Sequence, residues 1–146
     1  MGIAIPGAVA AKLVNPGKKV LAVTGDGGFM MNSQELETAC RIGTPFVTLI
    51  MNDESYGLIK WKQLEQFNKS AYVDFTNPDF QLYAEAMHCK GYRIEKAEDL
   101  IPTLIDAFTQ IVPSIIDCRV DYSENIKLTQ HLNEIDCILY EPPGSI

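Results

Sequence analysis

The hydrophobic positions fall into short apolar runs that are separated by longer segments with helical spacing. Val20–Thr24 and Phe46–Met51 are short, nearly continuous apolar runs bounded by turn residues, which is typical of buried strands. The second run is apolar enough for a central strand covered on both sides. Gly91–Ile94 and Ser114–Val120 are predicted as two further strands.

The first half of the chain also predicts two helices. Pro6–Val14 is predicted as a helix because proline is tolerated in a first turn, and Asn15-Pro16-Gly17 is a turn signal that ends it. Asn32 is predicted to open a second helix, since Glu35 follows it at capping-box spacing. Gly43 is predicted to stop that helix.

The second half predicts three more helices. Tyr56–Phe67 has mixed helical spacing, and Asn68–Thr76 is predicted as a loop. Asn77-Pro78 is predicted as an N-cap with a first-turn proline. The apolar stripe of that helix is Phe80, Tyr83, Ala84 and Met87. The apolar residues of the last helix are Leu100, Ile101, Leu104, Ile105 and Phe108.

Helices that alternate with strands in this order predict one fold class. It is an open, doubly wound, mostly parallel α/β sheet with helices on both faces and right-handed crossovers. With 146 residues the chain is long enough for one domain with a real core. The mixed tail that follows Asp121 is predicted to fray near its end.

Composition narrows the function classes. A net charge of −7 argues against nucleic-acid binding, because phosphate backbones require clustered Lys and Arg. No apolar run approaches the roughly 20 residues that span a bilayer, and the first residues lack a signal-peptide pattern, so a cytoplasmic protein is expected. The four cysteines are scattered without a C-x-x-C pair, which favours free thiols over zinc or redox use.

Candidate chemistry lies where the first two predicted strands end. Asp26 and Asp53 each follow an apolar strand, and parallel strands bring their carboxyl ends to one edge of the sheet. Carboxylate and carbonyl oxygens suit Mg²⁺, which leaves its other positions to phosphate and water. Gly27 and Gly28 allow backbone N–H groups to approach an anion. The two aspartates and the two glycines together predict a site for a magnesium-bound diphosphate.

Each half of this pattern has a simpler interpretation. Gly25-Asp26-Gly27 alone is equally typical of a strand-ending turn, and Asp53 alone is equally typical of a helix cap. The two acids together, each closing an apolar strand, are more specific. Two other common phosphate-binding motifs are absent: no G-x-G-x-x-G pattern follows the first strand, and no G-K-[ST] sequence occurs.

Several sequence stretches resemble thiamine diphosphate-dependent enzymes, and in particular acetolactate synthases of the catabolic, flavin-free type. They are Gly25-Asp26-Gly27-Gly28-Phe29, Glu35-Leu36-Glu37-Thr38-Ala39, Asn52-Asp53 and Val120-Asp121-Tyr122-Ser123-Glu124-Asn125. The resemblance implies that residues 1–132 form the C-terminal, diphosphate-binding domain, truncated at its N-terminus, and that residues 133–146 form a tail.

The resemblance also implies roles for individual residues. Asp26 and Asp53 would bind Mg²⁺ through their side chains and Ser55 through its backbone carbonyl. Gly27 and Gly28 would offer amides to the diphosphate, with Tyr56 and Gly57 beside it. Met1 would support the bent form of the cofactor, although it is the first residue of the chain. Leu58 and Ile59 would line the substrate pocket; helix core is the simpler interpretation of these two.

The implied activity is the decarboxylation of pyruvate and its condensation with a second pyruvate. In such enzymes a glutamate on a separate pyrimidine-binding domain activates the cofactor, and no matching carboxylate occurs here. The chain alone is therefore expected to be inactive and to self-associate. Two alternatives stay open: another thiamine diphosphate-dependent decarboxylase or oxidase, and a non-catalytic binding or assembly module.

Overall fold

The computed structural model describes residues 1–124, which form one parallel sheet with its helices. The strands are β1 (Leu21–Gly25), β2 (Val47–Asn52), β3 (Lys90–Ile94) and β4 (Ser114–Arg119). The helices are α1 (Ala4–Val14), α2 (Asp26–Met30), α3 (Glu35–Arg41), α4 (Gly57–Phe67), α5 (Phe80–Ala86) and α6 (Leu100–Ala107), with a 3₁₀ turn at Ala97–Asp99. The predicted tail, residues 133–146, lies outside the described residues.

All four described strands are parallel and lie in the order β1-β2-β4-β3. Leu21 pairs with Val47, and Val47 pairs with Ser114, so the register brings the carboxyl ends of β1, β2 and β4 to the same edge. The predicted fold class is confirmed.

The helices cover both faces of the sheet. On one face, Ile50 of β2 and Ile115 of β4 belong to a core that includes residues of α1, α2, α3 and α5. On the other face, Leu49 and Ile116 pack with α6. Neighbouring residues of a strand point to opposite faces, so β2 is apolar on both, as its continuous run predicted.

Most elements begin within one or two residues of their predicted bounds, but the predicted cap at Asn32 is wrong. Helix α3 begins at Glu35 after Gln34, and no side chain caps it. The Asn32 side-chain amide instead donates to the Gly2 carbonyl at 2.7 Å. Gly43 does end the segment, with a φ of +66° that favours glycine.

The predicted cap at Asn77 is also wrong. Helix α5 begins at Phe80, and Asp79 caps it by accepting hydrogen bonds from the backbone N–H groups of Gln81 and Leu82. The apolar stripe of α5 is confirmed, because Phe80 and Ala84 are fully buried.

Helix α4 lies outside both cores and has no buried residue. It belongs to an excursion of the chain between residues 56 and 73 whose two ends are joined. The Tyr56 N–H donates to the Val73 carbonyl at 2.8 Å, and the Phe75 N–H donates to the Glu54 carbonyl at 3.0 Å. Ser55 and Asp74 form an isolated antiparallel bridge between these bonds.

No helix within residues 1–124 is long and apolar enough to cross a membrane. The described cysteines, Cys40, Cys89 and Cys118, are free thiols, as predicted. Cys137 lies beyond the described part of the chain.

Candidate functional site

A cavity of about 460 Å³ opens at the carboxyl ends of β1 and β2. Every residue predicted for the cofactor or the substrate pocket lines it. These residues are Met1, Asp26, Gly27, Gly28, Asp53, Ser55, Tyr56, Gly57, Leu58 and Ile59. The topology thus brings together positions that are distant in sequence, while their individual roles stay predictions.

The Asp26 carboxylate is almost fully buried, with 1% of the residue exposed. Its Oδ1 accepts from the Gly27 N–H at 2.7 Å, and its Oδ2 accepts from the Glu54 N–H at 2.8 Å. The Asn77 side chain donates to the same Oδ2 at 2.7 Å. A buried carboxylate requires such donors, and here they hold it at the cavity wall.

Asp53 is held by its own loop. Its Oδ2 accepts from the Ser55 hydroxyl at 2.9 Å. Gly57 begins helix α4 directly beside it, so closely that a Cβ on Gly57 would lie 2.5 Å from Asp53 Oδ2. Glycine is therefore required at position 57 if the carboxylate keeps this orientation.

Glu54 lies between the two candidate ligands of this loop in a left-handed conformation, with a φ of +54°. Such a backbone is unfavourable for a residue with a Cβ and is retained where surrounding contacts determine it. The Glu54 N–H donates to Asp26 and also to Asn52 Oδ1, at 3.3 Å. These bonds connect the loop after β2 to the carboxylate after β1.

An amide network supports the site from behind. Asn77 donates to Asn52 Oδ1 at 3.0 Å, and Asn52 donates to the buried Asp117 at 2.8 Å. The other oxygen of Asp117 accepts from Arg93 Nε at 3.2 Å, and Arg93 also pairs with Asp79 at 3.0 Å. This network gives Asn52 a structural role behind the cavity. The position of Asn77 was missed because its sequence context imitates a helix cap.

The glycines after β1 are sterically confined. A Cβ on Gly27 would lie 2.7 Å from the Tyr56 ring, and a Cβ on Gly28 would lie 2.9 Å from Thr24 Oγ1. The Tyr56 ring packs on Phe75, with ring centroids 4.9 Å apart. The aromatic pair therefore holds its position over Gly27 only while that residue lacks a side chain.

Tyr122 lines the cavity and was not assigned a role from the sequence. Burial of its ring, and then the carboxylates of Asp53 and Asp26, raise the pKa of the Tyr122 hydroxyl. Trp61 and Tyr122 also line an adjoining groove of about 420 Å³.

Met1 and the two apolar residues of the predicted substrate pocket are at the open side. Met1 is 73% exposed, and Asn32 holds the neighbouring Gly2. Leu58 is 67% exposed and Ile59 is 48% exposed. Exposure at this level excludes the alternative that these residues form helix core in the described chain.

Comparison with known proteins assigns this arrangement to a family. Residues 1–118 match the family described as "Thiamine pyrophosphate enzyme, C-terminal TPP binding domain". The chain belongs to this family. The resemblance found in the sequence is thus confirmed, and thiamine pyrophosphate is the cofactor of the family.

Two of the curated relatives are described as acetolactate synthases. The chain is 43% identical over 128 residues to "Acetolactate synthase" of Bacillus subtilis (strain 168), which covers 88% of this chain and 22% of that protein. It is 39% identical over 137 residues to the catabolic acetolactate synthase of Raoultella terrigena, which covers 92% of this chain and 24% of that protein. The chain thus spans about a quarter of the length of the curated relatives it matches.

A solved structure shares the fold. The thiamine diphosphate-dependent 4-hydroxybenzoylformate decarboxylase of Rhodococcus jostii RHA1 superposes with a TM-score of 0.78 at 26% identity. The superposition covers 85% of this chain and 24% of that chain. The likeness agrees with a thiamine diphosphate-binding α/β fold.

Proposed function

We propose that this chain is the magnesium- and diphosphate-binding part of an acetolactate synthase-like enzyme that decarboxylates pyruvate and condenses the product with a second pyruvate. The supporting observation is that Asp26 and Asp53, which follow neighbouring strands, line one cavity together with the glycines after β1. The curated acetolactate synthases that the chain resembles favour this chemistry over that of other thiamine-dependent enzymes.

The donor set fits Mg²⁺. Asp26, Asp53 and the Ser55 carbonyl would supply only oxygen atoms, as this hard cation prefers. Two carboxylates leave its remaining positions to phosphate oxygens and water. Among residues 1–124, there is no group of three or more His, Cys, Asp or Glu side chains that could hold a metal ion, so phosphate oxygens and water would have to complete the ligand set.

The chain's own contribution would be binding, orientation and exclusion of water. The bound cofactor supplies the electron sink for decarboxylation. Gly27 and Gly28 would let backbone N–H groups approach the diphosphate closely, and Tyr56 lines one side of the cavity. Leu58 and Ile59 offer apolar surface that suits a small 2-keto acid such as pyruvate. We propose Met1, which lines the cavity, as the residue that supports the bent form of the cofactor.

The proposed enzyme needs a pyrimidine-binding domain as its partner and acts in the cytoplasm. The exposed apolar residues that line the cavity, among them Met1 and Leu58, support contact with further protein surface. We expect the chain to self-associate through such contact, and light scattering tests this by measuring its molecular mass in solution. A strictly monomeric mass would contradict it.

Calorimetry with thiamine diphosphate and MgCl₂ tests the binding proposal. We expect magnesium-dependent binding to the wild-type chain, and its loss in Asp26→Asn and Asp53→Asn. Asp99→Asn makes the same charge change on an exposed 3₁₀ turn and is the control. A folded wild-type chain that binds nothing at concentrations of about 1 mM, equivalent to less than about 4 kcal/mol, would favour an assembly module instead.

A second measurement concerns catalysis. The acetoin colour assay with pyruvate, thiamine diphosphate and Mg²⁺ is expected to show no turnover by this chain alone, because the activating glutamate belongs to another domain. Turnover would show that the chain activates the cofactor by itself.

A further inference from the structure

We propose that Asn77 is a positioning residue that fixes the Asp26 carboxylate and thereby sets the affinity of the cavity for a divalent cation. The second half of this statement rests on the proposed function. The first half rests on contacts among the described residues and can be tested without any ligand.

Asn77 reaches Asp26 across 51 positions of the chain. Its Nδ2 lies 2.7 Å from Asp26 Oδ2 and 3.0 Å from Asn52 Oδ1. An ionised carboxylate only accepts hydrogen bonds, so the atom that faces it must be the amide nitrogen. The two hydrogens of that nitrogen match the two acceptors, which no other side chain of this size can do at neutral charge.

The local structure does not require an asparagine at this position. Asp79 already caps helix α5 with its own carboxylate. Asn77 lies two residues before that cap, and its amide contacts Asp26, which follows β1, and Asn52, which is the last residue of β2. Its side chain is therefore explained by the site and not by the helix.

The support behind Asn77 is rigid. Asn52 and Asp117 are buried, with 4% and 2% of each residue exposed, and they are joined by a hydrogen bond of 2.8 Å. Arg93 holds the second oxygen of Asp117 at 3.2 Å. Buried polar groups that are all hydrogen-bonded in this way define one arrangement, so Asn52 presents a fixed acceptor to the Asn77 amide.

The same network controls the loop that carries Asp53. Asp26 Oδ2 and Asn52 Oδ1, the two acceptors of Asn77, both also accept from the Glu54 N–H. The left-handed backbone of Glu54 depends on these bonds. Removal of the Asn77 amide therefore loosens both candidate cation ligands and not only Asp26.

The first experiment measures urea unfolding of the chain in EDTA, so that no cation can bridge the acids. Asn77→Ala, Asp26→Ala and the double variant form a mutant cycle. Each variant raises the unfolding constant by some factor. If Asn77 donates to a charged Asp26, the factor of the double variant should be smaller than the product of the two single factors by about tenfold or more. Additive effects would overturn the proposal.

Two further variants make this measurement specific. Asn15→Ala removes the same atoms from an exposed turn and is expected to be additive with Asp26→Ala. Asn77→Asp keeps the shape but replaces the donor with an acceptor that faces Asp26. We expect it to destabilise the chain more than Asn77→Ala; equal or smaller destabilisation would mean that Asn77 only fills space.

The second experiment measures Mg²⁺ affinity by calorimetry in saturating thiamine diphosphate. Loss of a residue that orients a metal ligand typically weakens metal binding by about 10- to 100-fold, and we expect this for Asn77→Ala. Wild-type binding with an unchanged Asn77→Ala affinity overturns the inference. A wild-type chain that does not bind contradicts the proposed function and the role in cation affinity, while the mutant cycle still decides whether Asn77 positions Asp26.

Discussion

Gly57→Ala separates the stability of the fold from the function of the cavity. The added Cβ would lie 2.5 Å from Asp53 Oδ2 and 3.5 Å from its Cγ. Real Cβ atoms do not approach oxygen so closely, so one group must move. The carboxylate is the terminal part of a side chain and can rotate, whereas the backbone of Gly57 is fixed as the first residue of α4.

The energetic terms of this substitution oppose each other. Alanine favours a helix over glycine by up to about 1 kcal/mol. Rotation of the carboxylate breaks the 2.9 Å bond from the Ser55 hydroxyl, which is worth about 1 kcal/mol. The free energy of unfolding should therefore change by less than about 1 kcal/mol, while the displaced Asp53 weakens Mg²⁺ binding by about 10- to 100-fold.

Urea unfolding and calorimetry with Mg²⁺ and thiamine diphosphate measure the two effects. Gly7→Ala is the matched control: Gly7 is in helix α1, and a Cβ there would meet nothing within 4 Å. It should stabilise the chain by about 1 kcal/mol and leave binding unchanged. Unaltered Mg²⁺ affinity in Gly57→Ala would refute the assignment of Asp53 as a cation ligand, provided that the wild type binds.

Three further predictions concern the core, the N-terminus and a thiol. Phe29→Ala should lower the free energy of unfolding by about 3–5 kcal/mol in urea, because the ring is fully buried between two other aromatic rings; a loss below 1 kcal/mol would contradict this. Asn32→Ala should free the Gly2 carbonyl and sharpen the methyl NMR signal of Met1; an unchanged signal would mean that the bond does not order this segment. Burial raises the pKa of the Cys89 thiol, so the folded state keeps its proton where the unfolded state loses it. The contribution of that thiol to the free energy of unfolding is therefore complete below the unfolded-state pKa of about 8.5 and falls by up to about 1.4 kcal/mol per pH unit above it. The urea midpoints of wild type and Cys89→Ala, measured between pH 7 and 10, should show this fall as a difference that changes with pH. A difference between them that stays constant with pH would contradict this.

The fold could be predicted from the sequence because its signals are local. The apolar run of β2 identifies a strand covered on both faces, and the helical spacing of α5 identifies the residues that it buries. The relative position of Asp26 and Asp53 then follows from a general property of parallel sheets. No specific contact had to be known for that step.

The errors concern side chains that act over long distances. Asn32 and Asn77 both precede helices, and asparagine in that position favours a cap. Each instead bonds to a distant part of the chain, Gly2 in one case and Asp26 in the other. Local patterns cannot distinguish these uses, because an amide that caps a helix and an amide that joins two loops have the same sequence neighbours. Tyr122 was missed for a similar reason, since only the fold brings it to the cavity.

The joined ends of the excursion between residues 56 and 73 have a consequence for protein engineering. Because a backbone hydrogen bond between Tyr56 and Val73 closes its base and α4 contributes nothing to either core, this segment can be exchanged or lengthened as a unit. Doubling the length of such a closed loop costs only about 0.6 kcal/mol. Leu58 and Ile59 lie in the exchangeable part, whereas Asp26 and Asp53 lie outside it, so grafting a foreign segment that keeps Gly57 should alter the proposed substrate preference and leave the cation anchor intact.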